Sequence, residues 1–236
     1  KKITFVEIGV LNGGSLLLWK KFFGDQARII GIDLNPECKK FEKDGIEIFI
    51  GDQSNENFWD DFFKKVGKVD VILDDGGHTN QQQIITTAKS ISNINDGGII
   101  VIEDTHTSYM EEFSNPSKNS YINFSKKIID DVNYTYPKLG NFKYSFNQFV
   151  YSIQYFESFV VYNIDKTKTY TNYKIYNKSI NQNNIEDYRN ENTLINSHIY
   201  KNNFLKKFKF LKKIDLIFSF YKFIIKIVRY FDNKKS

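Results

Sequence analysis

Acids, histidines and glycines recur at the ends of short apolar runs in the first 110 residues of this 236-residue chain. VEIGVLNGGS carries Glu7, Gly9, Asn12, Gly13 and Ser15, and GID places Asp33 24 residues after Gly9. Further on, IGDQ holds Asp52 and Gln53, LDDGGH holds Asp74, Asp75 and His78, and VIEDTHTSY holds Glu103, Asp104, His106 and Tyr109. Glycines after an apolar run let the backbone turn sharply and come close to a ligand. The dinucleotide fingerprint Gly-x-Gly-x-x-Gly is not met, because position 11 is Leu. An acid at the Asp33 position can accept hydrogen bonds from both hydroxyls of a ribose. Asp52 and Gln53 could meet an adenine edge.

The ligand that suits this pattern is S-adenosylmethionine, which carries a cation and no phosphate. The expected cofactor set is Glu7, Gly9, Asn12, Gly13, Ser15, Asp33, Leu34, Asp52, Gln53 and Asp74. Asp75 and Asp104, with Glu103 beside them, can share one hard cation through oxygen ligands, and Mg²⁺ is the expected ion. Such a metal would orient and acidify a vicinal diol. His78, three residues after Asp75, is then the expected general base, with Asp75 as its catalytic neighbour. His106 and Tyr109 are expected to touch substrate. Asp74 or Asp75 could instead cap the following helix, and a histidine in a loop is more often structural than catalytic.

The elements that must hold these residues alternate in kind. β-Branched apolar runs occur at 3–8, 28–32, 46–50, 69–73 and 98–102, with helix-compatible stretches at about 14–23, 36–43, 55–66 and 80–92. Strand–helix alternation at this spacing predicts an α/β fold with a parallel sheet. Near-continuous apolar runs predict strands covered on both faces. Asn12-Gly13-Gly14, Asn35-Pro36, Asp75-Gly76-Gly77 and Asp96-Gly97-Gly98 are read as turns. A helix is predicted over 116–135, and 149–163 reads as two strands joined near Glu157, an antiparallel hairpin closing the sheet. The domain reading is 1–163 for the catalytic fold, 164–203 for a polar linker or irregular segment, and 204–231 for a basic amphipathic helical tail.

Composition narrows the class. With 41% hydrophobic and 17% aromatic residues, the chain has ample material for a core. The net charge of +5 is local: residues 201–236 hold eleven Lys or Arg and two Asp, a sum of +9, so the rest sums to −4. A nucleic-acid partner is therefore not expected, whereas the tail could contact a membrane or a second subunit. One cysteine excludes a disulfide scaffold. KKITFVEIGV lacks a signal-peptide pattern, and no run of about 18 apolar residues is free of charge. The expected setting is cytoplasmic, with the tail reaching the inner face of the membrane if it reaches one.

VEIGVLNGGSLLLWKKFF, IIGIDLNPEC, FIGDQSN, VDVILDDGGH and GGIIVIEDTHTSY together resemble the class I SAM-dependent O-methyltransferases. The resemblance is to the group that includes macrolide-sugar methyltransferases of the macrocin and mycinamicin pathways and relatives acting on surface polysaccharides. SIQYFESFVVYN resembles that group's last two strands, so the likeness covers about residues 1–163. It implies a Rossmann-like, seven-stranded, mostly parallel sheet with one antiparallel strand and helices on both faces. It implies SAM contacts at Gly9, Asp33 and Gln53, Mg²⁺ at Asp75 and Asp104, and His78 as base. The implied acceptor is a sugar hydroxyl, on a nucleotide sugar or a surface or capsular glycan precursor. The alternatives are another small hydroxyl, phenol or lipid-linked acceptor, or a SAM-fold module that only binds. Family members carry helices ahead of the first strand that cover the substrate, whereas this chain opens almost at that strand.

Overall fold

A computed structural model describes residues 2–113, 118–133 and 146–169 of the chain. The described residues all belong to one compact unit, Lys1–Lys174. The basic tail expected over 204–231, and the polar segment beyond residue 169, lie outside the described residues. No helix among the described residues is long and apolar enough to cross a membrane.

Seven strands form one sheet: β1 (Thr4–Ile8), β2 (Arg28–Asp33), β3 (Ile46–Ile50), β4 (Val69–Asp74), β5 (Ile94–Ile102), β6 (Val150–Phe156) and β7 (Phe159–Ile164). Their order is β3-β2-β1-β4-β5-β7-β6. The first five pair in parallel, and β7 runs antiparallel to both β5 and β6. Among the described residues four α-helices accompany them: α1 (Gly14–Phe23), α2 (Glu56–Val66), α3 (Asn80–Ser90) and α4 (Tyr121–Asn133).

Local chemistry sets the helix starts. Asn55 caps α2 by accepting from the Asn57 amide, and Thr79 and Gln82 form a reciprocal capping box on α3. The stretch predicted as a helix at 36–43 is a 3-10 helix over Pro36–Phe41, capped by Asn35. β5 begins earlier than expected, at Ile94: Asp96-Gly97-Gly98 is an irregularity inside the strand, where the pairing to β4 shifts between Val69 and Val71. Gly97, at φ 83°, absorbs the extra residues. α4 starts at Tyr121, where Asn80 Oδ1 accepts from the Tyr121 amide at 2.8 Å, rather than near residue 116. β7 ends at Ile164, and just beyond it the Asp165 amide donates to the Phe149 carbonyl.

Two cores lie on opposite faces of the sheet. Val6, Ile8, Ile30, Ile32 and Ile72 pack with Trp59 and Phe62 of α2, Tyr121 and Ile128 of α4, and Tyr162 of β7. Phe5, Ile29, Ile46 and Ile48 pack with Leu16 and Trp19 of α1 and with Cys38. Alternate residues of a strand face opposite sides. In β1, Phe5 and Glu7 therefore look toward α1, and Val6 and Ile8 look away from it.

Candidate active site

The register of the parallel strands aligns their carboxyl ends. Ile8 pairs with Ile32 and Asp74, Asp33 with Ile50, and Asp74 with Ile102. The residues that follow, Gly9, Leu34, Gly51, Asp75 and Glu103, thus leave the sheet along one edge. β1 and β4 are neighbours although β2 and β3 intervene in sequence. That is a topological switch point, where open α/β sheets bind ligands. Gly9 sits there at φ 96°, and a Cβ on it would lie 2.1 Å from the Asp75 carbonyl oxygen. Only glycine fits so close to the neighbouring chain.

A cavity of about 440 Å³ opens at this edge. It is lined by Gly9 and Leu11, by Asp33 and Leu34, by Gly51, Asp52 and Gln53, and by Asp75, Gly76, Gly77, His78 and Gln82. Asp33 organises the glycine loop. Its Oδ2 accepts from the amides of Val10 (2.8 Å) and Leu11 (3.1 Å), and its Oδ1 from that of Asn35 (2.8 Å). Burial pushes this carboxyl up, but the amides of Asn35, Leu11 and Val10, helped by the Cys38 thiol, outweigh burial and hold it below the ordinary value. A carboxylate kept ionised at a cavity wall can also accept from the hydroxyls of a ligand.

Several residues of the expected cofactor set make bonds within the scaffold. Glu7 is 1% exposed. It faces α1, accepting from Ser15 Oγ at 2.8 Å and Trp19 Nε1 at 3.2 Å, so neither its carboxylate nor the Ser15 hydroxyl points into the cavity. Burial raises its carboxyl above the ordinary glutamate value. Asp74 shares the parity of Ile72 and turns beneath α3. Its two oxygens accept from Gln53 Nε2 at 2.9 and 3.0 Å, and Oδ1 also accepts from the Gly76 amide. Burial pushes this carboxyl up against those bonds. Gln53 touches the cavity wall, but its polar atoms are committed: Nε2 also donates to Thr86 Oγ1, and Oε1 accepts from the Gly77 amide at 3.0 Å. An adenine edge would have to compete with these bonds. Asp52 Oδ1 is held by the amide and hydroxyl of Ser54. Asn12 is exposed and does not line the cavity, and Gly13 packs under the Phe41 ring.

The second group of acids does converge. Ligand atoms of Asp75, His78 and Asp104 lie within 4.8 Å of one another. His78 Nε2 is 3.5 Å from Asp104 Oδ2 and 3.9 Å from Asp75 Oδ1. His78 Nδ1 is buried with no hydrogen-bond partner, so no second group fixes the ring's tautomer. Glu103 stands outside this trio but feels it. Burial, then the negative charges of Asp75, Asp104 and Glu7, push its carboxyl up to about 7. Burial likewise raises Asp75, with Asp104 adding to the rise and His78 opposing it. Crowded carboxylates beside one imidazole are a donor set that a hard divalent cation fits, because its charge would relieve the repulsion.

Backbone strain marks the same place. Leu11 (φ 46°), His78 (φ 55°) and Asp104 (φ 54°) are all left-handed without being glycine. Such conformations cost of order 1–3 kcal/mol each and collect at functional sites. Thr107, which sequence reasoning missed, ties two of them together: its Oγ1 lies 2.9 Å from the carbonyl oxygens of both His78 and Asp104. Gln83, on α3, holds the Glu103 carbonyl at 2.9 Å. Thr107 lies inside VIEDTHTSY, among residues given no role there, and Gln83 belongs to none of the motifs singled out in the sequence. His106 and Tyr109 lie beyond the trio, where His106 Nδ1 is 3.7 Å from Asp104 Oδ1 and 3.0 Å from Ser158 Oγ.

No family model matches the chain. It is 28% identical over 148 residues to an 8-demethyl-8-alpha-L-rhamnosyl tetracenomycin-C 2'-O-methyltransferase of Streptomyces olivaceus, covering 58% of this chain and 39% of that protein. It is 29% identical over 144 residues to the mycinamicin VI 2''-O-methyltransferase of Micromonospora griseorubida, covering 56% of this chain and 36% of that one. The chain thus spans well under half the length of the curated relatives it matches. Among solved structures, the MycE methyltransferase in complex with Mg, SAH and mycinamycin VI superposes with a TM-score of 0.64 at 24% identity, over 70% of this chain and 45% of that one. The sheet-bearing unit is similar in sequence to sugar O-methyltransferases, and its fold is the Rossmann-like, seven-stranded fold of class I methyltransferases.

Proposed function

We propose that the chain carries an S-adenosylmethionine-dependent O-methyltransferase activity directed at a sugar hydroxyl and assisted by Mg²⁺. One observation carries this reading. Asp75 and His78 belong both to the cavity lined by Gly9, Asp33 and Asp52 and to the trio completed by Asp104. A ligand seated on the glycine loop would end where an acceptor oxygen could be held. The sulfonium of S-adenosylmethionine would supply an electrophilic methyl and depart as a neutral thioether. Nothing in that chemistry calls for a phosphate cradle.

This chain's residues would divide the work. Asp33 would accept from a ribose hydroxyl, and Leu11 and Leu34 offer apolar surface beside it. Asp75 and Asp104 would hold the cation, whose Lewis acidity would favour the alkoxide form of a bound hydroxyl. His78 accepts the hydroxyl proton at Nε2, and the Asp104 carboxylate, 3.5 Å away, stabilises the resulting imidazolium. The acceptor oxygen loses a proton to His78 and gains a methyl, so charge and atoms balance. Holding the two reactants in line can supply roughly 7–11 kcal/mol of the barrier reduction. The sugar reading is supported by the names of the relatives, which methylate rhamnosyl and macrolide sugars.

The test is mass spectrometry on a panel of sugars, nucleotide sugars and glycosides incubated with S-adenosylmethionine and Mg²⁺, with and without EDTA. A methylated sugar that disappears with EDTA, and is not made by His78→Ala, is the expected result. Full activity in EDTA would remove the cation. Transfer to catechols alone would replace the acceptor class, and absence of S-adenosylhomocysteine binding by calorimetry would overturn the proposal.

A further inference from the structure

A second cavity, of about 540 Å³, lies at the end of the β6–β7 hairpin and shares no lining residue with the first. Its size falls in the roughly 300–1,000 Å³ range of small-molecule sites. His106 lines it and stands 3.7 Å from Asp104, so the cavity begins at the edge of the acidic trio. Three large aromatic side chains line it while remaining open to solvent: Tyr109 at 64%, Phe156 at 60% and Tyr155 at 40%. They come from the segment after β5 and from the hairpin, so the fold gathers them from distant sequence. Tyr155 is held in place by its hydroxyl, which donates to Ser125 Oγ on α4 at 3.1 Å. Exposed aromatics gathered around a concavity mark a binding groove rather than a core.

We infer that this cavity is a glycan subsite, in which Tyr109, Tyr155 and Phe156 take the face of a neutral sugar ring adjoining the one that is methylated. The proposal rests on the methyl-transfer reading and names its substrate class: a sugar already joined to a second sugar, not a nucleotide-activated monosaccharide. The wall chemistry favours this choice. Aromatic faces alternate with polar groups, since His106 and Ser158 are paired at 3.0 Å and Lys126 and Glu157 stand on the rim. A sugar ring presents the matching surfaces, C–H groups on its face and hydroxyls on its edge. A nucleotide sugar would bring a diphosphate, yet the formal charges among the described lining residues are one Lys and one Glu, which cancel. Methylation would then follow a glycosyl-transfer reaction that joins the two sugars.

The experiment is saturation-transfer-difference NMR on the full chain with a panel of neutral rhamnose-, fucose- and hexose-containing disaccharides and the dTDP- and UDP-sugars. Calorimetric titration of S-adenosylhomocysteine runs beside it. At least one disaccharide should receive saturation on ring C–H protons, and Phe156→Ala and Tyr109→Ala should each weaken its binding about tenfold. Both side chains are exposed, so neither change empties a core. S-adenosylhomocysteine affinity should be the same in both variants. No disaccharide signal, a signal indifferent to both substitutions, or binding confined to nucleotide sugars or to a flat apolar aglycone would overturn the subsite. Loss of S-adenosylhomocysteine binding in the unaltered chain, with the disaccharide signal intact, would instead sink the methyl-transfer reading alone.

Discussion

Replacing Gln53 with Leu should destabilise the sheet-bearing unit more than any exposed substitution. Gln53 is 5% exposed and Asp74 is 1% exposed. The amide nitrogen of Gln53 bridges Asp74 and Thr86, and its oxygen takes the Gly77 amide. Leucine fills similar volume but leaves two losses. A hydrogen bond to a buried carboxylate is worth about 1.5–3 kcal/mol, and the part-buried Gly77 amide loses its acceptor, about 1 kcal/mol more. The sum is about 2.5–4 kcal/mol, or a fall in Tm of order 10 °C for a unit of this size. The penalty should also depend on pH. Burial already raises the Asp74 carboxyl, and losing Gln53 raises it further. A group whose folded pKa is raised destabilises only when ionised, so the cost shrinks as pH falls through that folded value. Urea melts followed by circular dichroism at pH 8 and pH 5 should show the larger loss at pH 8. Asp74→Asn removes the buried charge, so Gln53→Leu should cost less in that background. A cost under about 1 kcal/mol, or the same cost in the native and the Asp74→Asn backgrounds, would refute the assignment of this pair as the anchor of the Asp75–His78 turn.

Two further outcomes follow from the site's scaffold. Glu7→Gln keeps acceptor and donor atoms for Trp19 and Ser15 while removing a charge whose carboxyl burial raises. In the native chain that charge appears, and costs stability, as pH rises from the ordinary glutamate value through the raised one. The variant should therefore match the native chain near pH 4 and exceed it in urea midpoint at pH 8; an equal difference at both values would show that Glu7 is not the titrating group. Leu11 is 78% exposed at φ 46°. Leu11→Gly relieves about 1 kcal/mol of left-handed strain against a similar gain in unfolded-chain entropy. Its Tm should stay within a degree or two while S-adenosylhomocysteine affinity falls several-fold by calorimetry, and unchanged affinity would take Leu11 off the ligand surface.

What the sequence reveals of this protein divides along a physical line. Parallel strands buried on both faces advertise themselves as β-branched runs, and the acids of the cavity and the trio stand at the ends of such runs, so the strand ends and the Gly9, Asp33, Asp75 and Asp104 positions can be read directly. The hairpin is readable because VYSIQYF and FVVYNI flank a turn. Direction is harder. Glu7 and Asp74 are strand residues, and the two-residue period puts Glu7 on the face of Phe5 and Asp74 on the face of Ile72, which the two cores cover. That rule is available from sequence. The left-handed turns at His78 and Asp104 are not, because neither residue type demands positive φ; surrounding bonds such as those of Thr107 impose it. The second cavity lies further still from any pattern. Its walls come from residues 105–109, 122–126 and 155–158, and nothing in their spacing tells an exposed aromatic from a core one. Tyr121 and Tyr155 illustrate the point. One is sealed between α3 and β7 with its hydroxyl on Thr87 and Tyr162, whereas the other bonds to Ser125 and still opens toward solvent. The first cavity, where the proposed reading seats the methyl donor, is thus built at strand ends, where sequence rules are strong. The second cavity, the acceptor subsite of our inference, is built from a hairpin tip and a helix flank, where small changes in side chains would leave the fold undisturbed.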